Sequence, residues 1–142
     1  MKNMGGKLNI FFDLNIVLDV LQERAEFYEH SARLLAYAET GLFQGWLSAH
    51  SVTTLFYLIA KDRSSAQARI AITSLLQFLK IAPVDQTTIE QALNLPYRDF
   101  EDAVQMIAAL QVKADYLVTR NRRDFEPAPL LVKEPAELLA FL

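Results

Sequence analysis

Asp13 closes the apolar run Leu8-Asn9-Ile10-Phe11-Phe12. Short, aromatic and preceded by Gly5-Gly6, that run predicts a buried β-strand. A carboxylate at the carboxyl end of a buried strand is costly unless a partner stabilises its charge. That end is also where ligands sit in open α/β sheets. Two further segments carry acids at the edges of apolar elements: Asp99-Phe100-Glu101-Asp102-Ala103, and Thr119-Arg120-Asn121-Arg122-Arg123-Asp124-Phe125. Three separated acidic positions of this kind point to a divalent-metal site built from oxygen ligands.

The acidic segment opens a predicted helix over Asp99–Lys113. At about 100° per residue its apolar sector centres on Ala103 and Ile107, with Phe100, Met106 and Leu110 on the flanks. Asp99 falls at the border of that sector and Asp102 about 60° beyond it on the same side, so the two can face a common point. Glu101 points nearly opposite, toward solvent. A purely structural reading competes: Asp99 as N-cap with Asp102 in the first turn, both favoured by the helix dipole. The readings are compatible, since Asp99 can cap while Asp102 ligates.

Tyr116-Leu117-Val118 predicts a second buried strand, left at a turn through Thr119-Arg120-Asn121. Asn121 and Asp124 offer oxygen ligands there, and Arg120, Arg122 and Arg123 offer three cations. Acids holding a metal beside arginines holding a phosphodiester is the arrangement phosphate chemistry uses. By itself the segment also fits a solvated turn whose charges pair weakly. Asp13 and Asp102 as companions tip the balance toward a site.

The elements that must position these groups follow in order. A strand over Leu8–Asp13 leads into a helix over Leu14–Leu21 with Asp13 as its N-cap. Helices are predicted over Phe27–Glu39, stopped by Thr40-Gly41, over Ser48–Ala60, and over Ser64–Lys80 as the longest amphipathic stretch, with Ile70, Ile72, Leu75, Leu76 and Leu79 apolar. Short strands are expected at Gln44–Ser48, Ile81–Val84, Tyr116–Thr119 and Leu130–Val132. Further helices are expected at Thr87–Leu95, ended by Pro96, and at Pro135–Phe141. Strands alternating with helices imply an α/β fold with a central, mostly parallel sheet covered on both faces.

The chain has 142 residues, 52% hydrophobic, and reads as one domain with one sizeable core. No apolar stretch approaches bilayer-spanning length, and Met1–Lys7 does not read as a signal peptide. Absence of cysteine removes disulfides and thiol chemistry and fits a reducing cytoplasm. A formal net charge of −3 argues against broad electrostatic coating of nucleic acid but leaves room for a local basic patch.

The segments NIFFDLNIVLDVL and DFEDAVQMIAALQVKADYLVTRNRRDF, with the helix–strand order, resemble a PIN-domain protein over essentially the whole chain. That resemblance implies a three-layer α/β/α fold and a Mg²⁺- or Mn²⁺-dependent ribonuclease, a toxin of a toxin–antitoxin pair in many bacterial and archaeal cases. It matches Asp13 to the first acidic ligand, Asp102 to the acid on the later helix, and Asn121 or Asp124 to the last polar position. Asp99 is similar to an extra acid of one branch. The implied catalytic set is Asp13, Asp99, Asp102, Asn121 and Asp124, with Asp13, Asp102 and Asp124 toward the metal. Arg120, Arg122, Arg123 and Thr54 lie toward substrate, with Arg98 near the acids. The implied chemistry is hydrolysis of an RNA phosphodiester by metal-activated water. The implied partners are RNA, a second copy of the chain and an antitoxin segment.

One departure stands out. The family commonly places a second acid on the helix after strand two, yet no Asp or Glu occurs between Glu39 and Asp62. Thr54 is the best match, and a hydroxyl is the weaker ligand for a hard dication. This gives weight to a catalytically silent PIN module that binds RNA or protein. A haloacid-dehalogenase-like phosphatase is a further alternative, because Asp13-Leu14-Asn15-Ile16-Val17 approaches its Asp-x-Asp motif; Asn15 then stands where the proton-donating acid belongs. A receiver domain would carry its acceptor Asp on a later strand. His50, at the start of its helix, reads as a structural histidine near the site, and His30 carries no evident chemistry. Trp46, Phe56 and Tyr57 read as core aromatics, and Asp19 as a solvent-facing or base-paired acid.

Overall fold

A computed structural model of the chain describes residues 6–142. The reading of Met1–Lys7 therefore falls largely outside the described residues, as does Gly5. The strands are β1 (Asn9–Phe12), β2 (Gln44–Ser48), β3 (Leu79–Ala82), β4 (Tyr116–Val118) and β5 (Val132–Lys133), all parallel, in the order β3-β2-β1-β4-β5. The helices are α1 (Leu14–Leu21), α2 (Tyr28–Glu39), α3 (Ala49–Asp62), α4 (Ser65–Leu75), α5 (Gln86–Ala92), α6 (Phe100–Gln111) and α7 (Pro135–Leu139), with a 3₁₀ turn at Arg122–Phe125. Among the described residues no helix is long and apolar enough to cross a membrane.

The expected sheet is thus fully parallel. Period-two alternation in β1 divides the core: Ile10 and Phe12 face one layer with α1–α4 and α7, while Phe11 faces the other with α6 and the 3₁₀ turn. Parallel strands buried on both faces explain why β1 is a continuous apolar run, with Ile10, Phe11 and Phe12 all inaccessible to solvent. Gly45 is required where β2 passes β1 and β3. A Cβ there would lie 2.5 Å from Leu79 Cδ2 and 2.8 Å from Phe12 Cε2. Gly41, at φ +86°, takes the left-handed turn that ends α2.

Several boundaries differ from expectation. The helix foreseen over Ser64–Lys80 stops at Leu75, so α3 is longer than α4, and Ile70 and Leu76 are exposed rather than core. Leu79 belongs to β3, which begins two residues earlier than expected, and β5 begins two residues later. Periodicity alone could not end that helix, because the strand after it continues the apolar pattern.

The sheet order places β1 at the centre. The chain runs outward through β2 and β3, then returns to the other side of β1 with β4 and β5. The reversal falls between β1 and β4, so the crevice of this sheet opens at their carboxyl ends. Asp13 follows one of those strands and Thr119 the other, and the Asp13 N–H donates to Val118 O at 2.9 Å, extending the ladder to the edge.

Candidate metal-binding active site

Asp13 is 5% exposed and is held by three groups. Thr119 Oγ1 donates to Oδ2 at 2.8 Å, Gln105 Nε2 donates to Oδ1 at 3.1 Å, and the Asn15 N–H caps the same oxygen at 3.5 Å. Burial pushes its carboxyl above the ordinary range; those hydrogen bonds and the nearby Arg120 guanidinium oppose the shift. Asp102, in the first turn of α6, accepts from the same Gln105 Nε2 at 3.4 Å. Two oxygens touching one nitrogen lie well within the ~10 Å that would separate carboxylates unable to share an ion or an ion pair. The Asp102 carboxyl is pushed up to about 7, first by burial and then by the charges of Asp13, Asp99, Asp124 and Glu101. Tyr97, whose hydroxyl donates to Pro127 O at 2.6 Å, is pushed up to about 12 by burial and by Asp102.

Gln105 is the residue that sequence reasoning missed. It sits one turn beyond Glu101, on the helical face that the apolar pattern assigns to solvent, yet is only 2% exposed. Its carbonyl oxygen accepts from the Leu14 N–H at 3.0 Å and from Ser51 Oγ at 3.4 Å. Its amide therefore ties β1, α1, α3 and α6 together. The available signal was a polar residue three after Asp102, on the same side of the helix as a carboxylate. It went unread because α3 covers that face. Beyond Ser51 the buried polar chain continues through Ser48 Oγ at 3.0 Å to His50 Nδ1, 2.6 Å from Ser48. Burial holds His50 below its ordinary pKa, against the charge of Glu101.

The other expected residues are distributed unevenly. Asp99 caps α6, accepting from the Glu101 N–H at 2.8 Å, and adds its charge to the field at Asp102. Asp124, on the 3₁₀ turn, adds its charge too. Asn121 stands between two crevices: one of about 320 Å³ lined by Asp13, Asn15, Phe27, Arg120 and Asp124, and one of about 680 Å³ that includes Asp99, Asp102, Arg98, Arg123 and Asp124. Arg120 lies over the Phe27 ring at 4.1 Å, its Nε 3.3 Å from Asp19 Oδ2. Arg122 is not brought to the acids. It turns toward α7, 3.3 Å from Glu137 and 4.0 Å from Glu134, because the 3₁₀ turn points consecutive side chains apart. Thr54 touches neither Asp13 nor Asp102 within hydrogen-bond reach; it contacts Glu101 Oε2 at 3.4 Å. Asp19, expected at the surface or paired with a base, is paired with Arg24 and Arg120 but is fully buried. Tyr57 is 62% exposed and not part of the core, and Phe100, expected on the apolar flank of α6, is 44% exposed.

The donor set fits a hard divalent cation. It consists of oxygen ligands at a sheet edge, and the neighbouring carboxylates add to burial in raising the Asp102 pKa, which an added positive charge would relieve. Among the described residues no group of three or more His, Cys, Asp or Glu side chains is placed to hold a metal ion, so the protein supplies two carboxylates at most from this pair.

The match to known proteins agrees with this architecture. A PIN-domain family model matches residues 9–123, and the chain belongs to the PIN-domain family. No curated protein matches it. A chain of the VapBC2 complex of Rickettsia felis bound to a promoter DNA fragment is 18% identical, covering 89% of this chain and 98% of that one, with a TM-score of 0.68. A chain of a toxin–antitoxin complex from Klebsiella pneumoniae is 23% identical over 89% and 97%, also with a TM-score of 0.68. Mycobacterium tuberculosis VapC20, described as a sarcin–ricin-loop-cleaving toxin, is 16% identical over 76% and 86%, with a TM-score of 0.61. At these identities the likeness is one of fold, and it is the three-layer α/β/α PIN fold with a central parallel sheet.

Proposed function

We propose that the protein is a Mg²⁺- or Mn²⁺-dependent endoribonuclease acting as the toxin of a toxin–antitoxin pair. The observation that carries this reading is the Asp13–Gln105–Asp102 arrangement at the switch point between β1 and β4. Asp13 and Asp102 would hold the ion, with Asp124 and Asn121 at the mouth of the crevice. A divalent cation held there supplies Lewis acidity and a water of lowered pKa. Thr119 and Gln105 fix the Asp13 carboxylate, so its orientation requires no reorganisation when substrate arrives. Arg120 lines one crevice and Arg98 and Arg123 the other, and they would bind the phosphodiester backbone. The neighbours named as toxin–antitoxin complexes support an antitoxin as partner. The exposed Tyr57, Ile70 and Leu76 on α3, α4 and the turn after it support self-association.

Single-stranded RNA should be cleaved with Mg²⁺ or Mn²⁺ and spared in EDTA. Asp13→Asn and Asp102→Asn should each remove most cleavage while circular dichroism stays unchanged. Full activity in either variant would overturn the assignment. The silent-module reading draws on the absence of an acid from α3; it predicts RNA binding that is indifferent to divalent ions and no cleavage at any ion concentration.

A further inference from the structure

Ser48 stands at the N-cap of α3, a position that suits serine, yet its hydroxyl makes no capping hydrogen bond. It lies fully buried between His50 Nδ1, at 2.6 Å, and Ser51 Oγ, at 3.0 Å. Ser51 in turn meets Gln105 Oε1 at 3.4 Å. Three contacts thus join the half-buried imidazole to the amide that bridges Asp13 and Asp102. The direction of each follows from counting protons. The Leu14 backbone N–H can only donate, so the atom of Gln105 that it meets is the carbonyl oxygen, which can only accept. Ser51 must therefore give its one hydroxyl proton to Gln105. Ser48 must then give its own to Ser51, and the proton in the Ser48–His50 contact can only be one carried by Nδ1. With Nδ1 bare, two protons would have to serve three contacts. The contact that opens is then the longest, Ser51 to Gln105, and a buried carbonyl loses one of its two donors.

We propose that His50 is a positioning residue of the acid pair: its Nδ1–H starts a one-way chain of donors, through Ser48 and Ser51, that holds the Gln105 amide against Asp13 and Asp102. This rests on the metal-dependent reading above only for what the two acids hold. The effect on the amide has two parts. A carbonyl that accepts two hydrogen bonds polarises its amide, so the Nε2–H groups become stronger donors to the carboxylates. Two donors from different elements also fix the plane of the amide, which Leu14 alone would leave free to pivot. Burial favours a neutral ring with one proton, whereas the carboxylate and backbone of Glu101, which face the ring, favour a charged one with two. The charged ring carries the Nδ1 donor, and so does one of the two neutral tautomers. Only a neutral ring with its proton on Nε2 breaks the chain. The neutral tautomer protonated on Nδ1 is selected because it alone satisfies all three contacts.

The test is nuclear magnetic resonance of the nitrogen-15-labelled full chain in EDTA, where neither cleavage nor metal contributes. His30 and His50 are the two histidines of the chain, so His30→Gln leaves one imidazole to observe. Its Nδ1 should be protonated, alone or together with Nε2; a neutral ring protonated on Nε2 overturns the proposal. The Gln105 side-chain amide reports the other end of the chain. Its two proton resonances should move in Ser51→Ala and in His50→Leu. They should stay near their wild-type positions in His50→Asn, whose amide can supply an N–H in place of Nδ1. In the Ser51→Ala background His50→Leu should add nothing, because the chain is already cut. A further shift there as large as in the wild-type background would mean that His50 acts by another route, and the chain is overturned. A Mn²⁺ titration read by calorimetry then reports on the acids. His50→Leu should weaken binding about threefold, less than the roughly tenfold expected for a group that touches a ligand directly, and His50→Asn should restore it. Equal weakening in both variants would assign the effect to packing, and the positioning role falls. If the wild-type chain takes up no Mn²⁺ while the resonances behave as expected, the metal-dependent reading falls and the donor chain stands.

Discussion

At the scale of single residues the site depends on one uncharged side chain. Gln105 uses both ends of its amide, donating to Asp13 and Asp102 and accepting from the Leu14 N–H and Ser51. Gln105→Leu, similar in size, would leave a buried carboxylate oxygen, a buried N–H and a buried hydroxyl short of partners. It should cost about 2–4 kcal/mol in urea unfolding. It should also reduce cleavage, because Thr119 still holds Asp13 but the side chain that bridges it to Asp102 is gone. A second residue-scale prediction concerns Arg120. Its guanidinium is stacked on Phe27 and paired with the buried Asp19, so it is presented in one orientation beside Asp13. Arg120→Gln should weaken RNA binding and lower the salt slope by about one phosphate contact, whereas Arg122→Gln, paired toward α7, should leave the slope unchanged.

At the scale of elements, the acid pair is assembled from the ends of β1, α6 and β4, and it is only as rigid as their packing. At Gly45 that packing leaves no room for a Cβ, with the side chains of Leu79 and Phe12 against its backbone. Gly45→Ala should destabilise the fold by about 1–3 kcal/mol, measured as a shift in urea midpoint with the slope preserved. Asp19 makes the complementary link. It joins α1 to the turn after β4 through Arg120 and to the loop before α2 through Arg24. Asp19→Ala would leave two arginines without their anion, and because both are partly exposed the cost should be nearer ~2 than ~5 kcal/mol. Of the helix starts, Asp99 was legible as a cap, whereas Asp85, which forms a capping box with Thr88, was not read as one.

At the scale of the whole molecule, the buried Asp13 and Asp19 and the half-buried Asp102 share one sign of shift, and stability should follow. Asp13, Asp19 and Asp102 all have carboxyls raised in the folded chain, Asp102 to about 7. A raised carboxyl means that the folded state binds protons more readily than the unfolded one. The stability this gives is complete below the ordinary value of 3.8 and is lost as pH rises through the folded value. In EDTA, melting temperature should therefore rise as pH is lowered from about 8 to about 5, and Asp102→Asn should flatten that rise. The Asp102 share is about 1–2 kcal/mol once solvent screening is allowed for. Asp85, held low by its Thr88 cap, contributes the opposite sign only at still lower pH. Mn²⁺ should stabilise the chain most at the upper end of that range, where its ligands are ionised. Sedimentation at micromolar concentration tests self-association through Tyr57, Ile70 and Leu76; a clean monomer at all concentrations would count against it.

Asp13 was legible in the sequence because a charged residue ending an apolar, period-two run has few structural explanations. The α/β alternation, the helix over Leu14–Leu21, the strand over Gln44–Ser48 and the acid at the start of α6 were legible for the same kind of reason: each is a local pattern of period, cap or breaker. What the chain could not display along its length is what covers each face. Gln105 and Glu101 lie on the side of α6 opposite its apolar stripe, and only the approach of α3 over the sheet edge makes that side a junction. Asp19 is buried because Arg24, five residues on, and Arg120, from the turn after β4, close over it, and Ile70 is exposed because it lies on the side of α4 opposite Ala68, Ile72 and Leu75, which face the core. Burial is a property of which elements meet. The meeting of α3 with α6 and of α1 with the turn after β4 is set by strand order, which no local periodicity encodes.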